Sequence, residues 1–94
     1  MTKLESVKTI ASLYQYFDEL VFNDADADTL FASSYIKGFI ALEAVNFGDE
    51  SQTLSVALAD KVSISLTENK TELTPQDQTI VNNYWLSLQT LFVA

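Results

Sequence analysis

The chain has 94 residues, 48% of them hydrophobic, a net charge of −8 at pH 7, and no cysteine, histidine or arginine. Without these three residue types it cannot form a disulfide, a histidine general base or a bidentate arginine contact to phosphate. Nucleic acids and anionic membranes are negatively charged like the chain, so we expect neither as a partner.

The apolar runs of the sequence bear on where the protein resides. Residues 1–10 lack the apolar region of a signal peptide, and no later run offers about 18 uncharged apolar residues. We therefore expect a cytoplasmic protein of one domain, residues 1–94. It has enough apolar side chains to form a core without a metal ion or other cofactor.

A first helix is predicted over residues 3–22. Its apolar side chains recur in steps of three and four, which places them on one face of a helix. They are Val7, Ile10, Tyr14, Phe17 and Val21. This pattern indicates an amphipathic surface helix with one buried face.

An acidic turn follows over residues 23–29. Asp26 or Asp28 is a suitable N-cap for the next helix, and carboxylates there interact favourably with the helix dipole. Asp24, Asp26 and Asp28 also match the opening of an EF-hand calcium loop. Its sixth and twelfth positions should be glycine and glutamate but are Thr29 and Tyr35, so capping and solubility are favoured over calcium binding.

The second helix, predicted over residues 29–47, is apolar on nearly every side, and its only charges are Lys37 and Glu43. A helix of this kind is central in its domain or covered by a partner. Gly38 in its interior predicts the close approach of a neighbouring helix, since glycine otherwise costs about 1 kcal/mol there. The side expected to face solvent carries Ser33, Lys37, Ala41 and Ala44.

The third helix is predicted from apolar residues that recur every four positions, namely Leu54, Leu58, Val62 and Leu66. Residues 61–67 alternate between apolar and polar, which alone is typical of a strand. A lone strand has no pairing partner elsewhere in the chain, so the helix is preferred. Residues 68–73 form a polar loop.

The fourth helix has the clearest start signal. Thr74 is predicted as its N-cap, followed by Pro75 at the first position and Asp77 at the third. Four helices with short connections predict an all-α fold, a compact antiparallel up-down-up-down bundle with helix 2 central. A less regular array of four helices is the alternative.

Two blocks of sequence, at the start of helix 2 and at the start of helix 4, resemble the YfcL family of small uncharacterised proteobacterial proteins. The matching residues are Leu30, Phe31, Ala32, Ser33, Tyr35 and Gly38 in the first block, and Leu73, Pro75, Asp77, Gln78, Val81 and Trp85 in the second. Ser34 and Phe39 stand where the family pattern has glycine and histidine, so a site that uses that histidine does not transfer. The resemblance implies a helical cytoplasmic protein and no particular activity.

The missing residue types predict that the protein is not an enzyme. Asp18 or Glu19 with Asp24 could form a pair of carboxylates for acid–base hydrolysis, but these residues lie near a helix end, where water keeps carboxylates ionised. The sequence contains no phosphate-binding loop, nucleophile elbow or dinucleotide fingerprint.

The remaining interpretation is a small protein that acts through contacts. Two surfaces are candidates for binding a protein partner or a second copy: the acidic cluster that includes Asp24, Asp26 and Asp28, and an apolar edge at Ile36, Ile40 and Phe47. The alternatives are a solvated acidic face that keeps the protein soluble, which is favoured for the cluster, and burial of the apolar edge by helices 1 and 3, which is equally compatible with the sequence. The alternative is a carrier or sensor with a small apolar ligand between helices 2 and 4. Its lining would be Tyr35, Phe39, Tyr84 and Trp85.

Overall fold

The computed structural model of the chain describes residues 6–94. Its elements are α1 (Ile10–Phe22), α2 (Ala27–Ala44), α3 (Val56–Asn69), a 3-10 helix (Lys70–Glu72) and α4 (Pro75–Gln89). In this part of the chain, β-type pairing is limited to an isolated bridge between Thr9 and Thr53. The predicted all-α class with four helices is confirmed.

Each α-helix begins at a side chain that accepts a hydrogen bond from a backbone N–H of the first turn. The four caps, each with the residue whose N–H it accepts, are Thr9 (Ser12), Asp26 (Thr29), Ser55 (Leu58) and Thr74 (Asp77). Such a bond satisfies a donor that has no partner within the helix. The predicted caps Asp26 and Thr74 are both confirmed.

Helix α1 is shorter than predicted. It begins at Ile10, whereas the prediction began at residue 3, and residues 3–5 lie outside the described part of the chain. Thr9 has an extended backbone, and the N–H of Leu54 donates to the carbonyl oxygen of Lys8 at 3.0 Å. Pairing with a distant segment therefore replaces the helix that the local pattern predicts.

Helix α2 is central, as predicted, because α1, α3 and α4 all pack against it. The residues that it buries are Ala32, Ser33, Ile36, Ile40 and Ala44. It ends at Ala44, three residues earlier than predicted, and the N–H groups of Phe47 and Gly48 donate to the carbonyl oxygen of Ala44.

One side of α2 is open to solvent, and it coincides only in part with the side that the sequence predicted, since Ala41 is exposed as expected. Ser33 and Ala44, expected at the surface, are buried, while Gly38 is exposed. In the described part of the chain, no atom beyond its own helix lies within 4 Å of the position that a Cβ on Gly38 would occupy. The predicted close approach of a neighbouring helix at Gly38 is therefore wrong.

The structure shows that residues 61–67 form part of a helix and not a strand. The whole stretch is α-helical, with Val62 and Leu66 buried and Ile64 exposed. Its burial follows the spacing of four and not the alternation, so the helical period determined the structure.

Buried side chains from all four helices form one core together with Val7, Leu54 and Phe92. Trp85 lies within it and is 5% exposed. Its ring packs edge-to-face on Phe92 with centroids 5.5 Å apart, and its Nε1–H donates to Ser63 Oγ at 2.9 Å. This hydrogen bond joins α4 to α3 at Trp85.

The segment just before α3 bonds both to the residues before α1 and to the residues after α4. The N–H of Ala94 donates to the carbonyl oxygen of Leu54 at 3.1 Å. The N–H of Val56 donates to the carbonyl oxygen of Ala94, also at 3.1 Å. Since Leu54 also bonds to Lys8, a short ribbon joins the start of α1, the start of α3 and the residues after α4.

Candidate interaction surface

Asp24 and Asp26 in the turn between α1 and α2, together with Asp28 in the first turn of α2, are exposed, and we call these three residues the acidic corner. Asp26 accepts the N–H of Thr29 at 3.1 Å and the Thr29 hydroxyl at 2.6 Å, one bond at each carboxylate oxygen. These hydrogen bonds lower the pKa of Asp26, so it remains charged at neutral pH. Asp24 has φ 56°, a left-handed conformation that aspartate tolerates better than most residues.

Two apolar side chains are exposed directly beside the acidic corner. Phe22 is 86% exposed and Val21 is 61% exposed. The turn that follows them is fixed, because the N–H of Asp24 donates to Val21 and the N–H of Ala25 donates to Leu20. The structure thus presents an exposed aromatic ring at the end of α1 and three exposed carboxylates between there and the first turn of α2.

Asp18, one of the acids considered for a hydrolytic pair, has a cationic partner in the structure. The carboxylate of Asp18 lies 3.8 Å from Lys37 Nζ, so its partner is a cation on α2. Among residues 6–94, no three acidic side chains converge as a metal ion would require.

The expectation that Ile36 and Ile40 lie at an exposed edge is wrong. Both side chains are 0% exposed, because α2 turns them towards the three helices that pack against it. Phe47, the third member of that edge, is exposed. The sequence pattern could not show which apolar side of α2 its neighbours cover, since both sides look alike.

The expected ligand site beside Trp85 is not formed. Trp85 is packed on Phe92, as described above, and its polar atom bonds to Ser63. Tyr35 lines a hollow of only about 20 Å³, which is roughly the space of one water molecule. Tyr84 instead lines a shallow surface hollow with Asp28. The four aromatic residues therefore do not surround a common cavity.

A surface that the sequence analysis missed is the solvent-exposed side of α2. We call Ser34, Gly38, Ala41, Leu42 and Val45 the open face. These residues fall on one side of a helix at spacings of three and four. Next to it, between α1 and the end of α2, lies a hollow of about 370 Å³. Its lining includes Tyr14, Ala41, Val45, Asp49 and Glu50.

The sequence pattern of the YfcL protein family matches residues 8–90, which include all four helices. The chain belongs to the YfcL family. No curated protein and no solved structure matches it.

The two sequence blocks that resemble the YfcL family have defined positions in the fold. The first block opens α2, where Phe31 and Tyr35 are stacked with centroids 6.1 Å apart. The second block caps α4 and supplies Trp85 to the core. In this YfcL-family chain both blocks thus contribute to packing and capping. Among residues 6–94, no helix has the length and hydropathy needed to span a bilayer.

Proposed function

We propose that this YfcL-family protein is a non-enzymatic cytoplasmic interaction protein that binds a basic segment of another protein at the acidic corner. In this arrangement, lysine or arginine side chains of the partner lie against Asp24, Asp26 and Asp28. An apolar side chain of the partner covers Phe22.

The observation that carries the proposal is the exposed Phe22 ring beside three exposed carboxylates. An aromatic side chain so open to water gains free energy when a partner covers it, and aromatic residues are enriched at protein interfaces. Lys37 is directed to Asp18 and does not neutralise the corner. The corner therefore attracts positive charge over about 8 Å at physiological ionic strength.

The non-enzymatic part of the proposal is supported by the residue types and by the chemistry of Asp26. The chain lacks histidine, cysteine and arginine, which supply most nucleophiles, general bases and oxyanion or phosphate contacts. Hydrogen bonds from Thr29 lower the pKa of Asp26, whereas a catalytic acid needs a raised pKa.

The test is a titration with a synthetic lysine-rich peptide that contains one leucine, followed by NMR. The corner variant carries Asp24→Asn and Asp28→Asn and leaves the Asp26 cap in place. The control variant carries Asp60→Asn and Glu68→Gln, two exposed carboxylates of α3, and has the same net charge.

We expect chemical-shift changes at residues 21–29 and binding about tenfold weaker in the corner variant, as two screened charge pairs would contribute. The control variant should bind like the wild type. Equal weakening in both variants would indicate general charge attraction and would contradict the proposal, as would binding that does not weaken when salt is added.

A further inference from the structure

Beyond its first turn, α2 carries two charges, Lys37 and Glu43, and both are directed away from the open face. Lys37 Nζ pairs with Asp18 and lies 5.3 Å from the centroid of the Tyr14 ring, both on α1. On the opposite flank, the carboxylate of Glu43 accepts a hydrogen bond from Ser65 of α3 at 3.0 Å. The open face between these flanks is therefore uncharged from Ser34 to Val45.

This uncharged face is also apolar and continuous with a groove. Leu42 is 61% exposed and Val45 is 73% exposed, and Ala41 and Val45 also line the hollow between α1 and α2. A helix normally directs polar residues to solvent, so an exposed side without charge indicates a surface that a partner covers.

The shape of the open face fits a helix. Ser34, Gly38, Ala41 and Val45 are spaced by four, three and four residues, which is the spacing of a helix–helix seam. The space beside Gly38 is empty, so another backbone can approach there closely. Among residues 6–94, no neighbour occupies the space of the missing side chain, although the glycine costs about 1 kcal/mol in helix stability.

Carboxylates stand at both ends of this face. Asp26 and Asp28 lie at the N-terminal end of α2, while Asp49 and Glu50 line the hollow at its C-terminal end. Helix α2, which lies between these two groups of carboxylates, has 18 residues and is therefore about 27 Å long.

We propose that the open face of α2 binds an amphipathic helix of a partner protein, with an apolar stripe in its middle and lysine or arginine residues at both ends. The inference rests on the proposed function, because one end of the bound helix lies at the acidic corner. It adds the structure of the partner segment and the location of its second basic end, against Asp49 and Glu50.

A second copy of the chain is the other occupant to consider, and charge disfavours it. Each copy has a net charge of −8, and an α2–α2 contact would bring the carboxylates at the helix ends together. Like charges brought together in this way oppose association. A basic helix has the opposite charge at the same positions.

The experiment uses two synthetic peptides of about 18 residues, matched to the length of α2. The helical peptide is built from alanine and leucine with lysines at both ends. The broken peptide has the same lysines and leucines, but a central proline prevents a continuous helix. Both are titrated into the full chain and followed by NMR.

Two variants locate the binding surface. Gly38→Gln places a side chain in the middle of the open face and favours the helical conformation, so the variant remains folded. Ala57→Gln places the same side chain on the exposed side of α3 and serves as the control.

We expect the helical peptide to shift the amide signals of Ser34, Gly38, Ala41, Leu42 and Val45. Gly38→Gln should weaken its binding by at least about tenfold, and Ala57→Gln should leave it unchanged. The broken peptide should shift only signals near the acidic corner.

Three outcomes overturn the inference, and they separate it from the proposed function. Equal binding of both peptides with shifts confined to residues 21–29 removes the inference and leaves the proposed function. If neither peptide binds, both the inference and the proposed function are wrong. Shifts at the open face when the protein alone is concentrated assign the face to a second copy.

Discussion

The indole of Trp85 illustrates how a single polar atom restricts the core. The ring is buried against Phe92, and its N–H has Ser63 Oγ as its partner. A buried donor without a partner costs more than the bond itself contributes, because its hydration is lost without replacement. Ser63, a small residue in the middle of α3, is therefore important for stability.

Replacing Ser63 with alanine should lower the free energy of unfolding by about 1–2 kcal/mol relative to Ser34→Ala, because it leaves the Trp85 N–H without its partner. Ser34 is an exposed residue of α2, so Ser34→Ala measures the effect of the higher helix propensity of alanine without the loss of a buried hydrogen bond. Urea unfolding followed by circular dichroism measures the difference. Equal stabilities of the two variants would show that the bond contributes nothing.

Because of Tyr84, the free energy of unfolding should fall at alkaline pH. Burial raises the pKa of Tyr84 above its ordinary value of 10.0, and the nearby Tyr16 phenol adds to the effect. Below pH 10 the phenol is neutral in the folded and unfolded states, so its contribution is fully present. As the pH rises above 10, the unfolded chain releases the proton first, and the contribution is lost as the pH approaches the folded pKa.

We expect Tyr84→Phe to reduce the loss of stability above pH 10, as measured by urea unfolding at a series of pH values. Some loss should remain, because burial also raises the pKa of Tyr14 and Tyr35. A pH profile identical to that of the wild type would mean that Tyr84 titrates alike in both states.

At the scale of the helices, the two glycines have opposite roles. Gly48 has φ 145°, where a side chain is strained, whereas Gly38 is helical with empty space beside it. Glycine is required at position 48 and is unfavourable at position 38.

Gly38→Ala should therefore raise the free energy of unfolding by about 1 kcal/mol, which corresponds to roughly 4–8 °C in Tm for a domain of this size. Gly48→Ala should instead destabilise the protein by about 1–2 kcal/mol. Thermal unfolding of the two variants gives the comparison. A stabilising Gly48→Ala would contradict the assigned backbone conformation.

The same helices show what a local pattern can and cannot predict. Asp26, Thr74 and Pro75 act on the backbone next to them, so the starts of α2 and α4 could be read from the sequence. The start of α1 depends on pairing between Thr9 and Thr53, which lie far apart in the chain. The cap at Thr9, which accepts the N–H of Ser12, marks this start locally, but the pairing with Thr53 cannot be read from residues 3–22.

The candidate site divides in the same way. The exposure of Asp24, Asp26 and Asp28 follows from their position in a polar turn. The burial of Ile36 and Ile40 and the exposure of Leu42 depend on where α1, α3 and α4 lie around α2. Helix α2 is apolar on nearly every side, so its sequence does not distinguish the covered side from the open face.

For the whole molecule, the net charge of −8 opposes compaction. Increasing the sodium chloride concentration from about 20 mM to about 200 mM screens this repulsion and should raise Tm by a few degrees. The variant with Asp24→Asn and Asp28→Asn should show a smaller rise because its net charge is closer to zero. A Tm that is unchanged or falls with salt would show that attractive pairs dominate the electrostatics.

The ribbon at Leu54 has a consequence for how the molecule opens. Lys8 and Ala94 both bond to Leu54, and Val56 bonds to Ala94, so a displacement of this one segment releases both ends of the helical array. Fraying, which in most helical arrays is independent at the two ends, is thereby coupled. The amide protons of Leu54, Val56 and Ala94 should accordingly exchange with solvent at a common free energy of opening, as one cooperative unit.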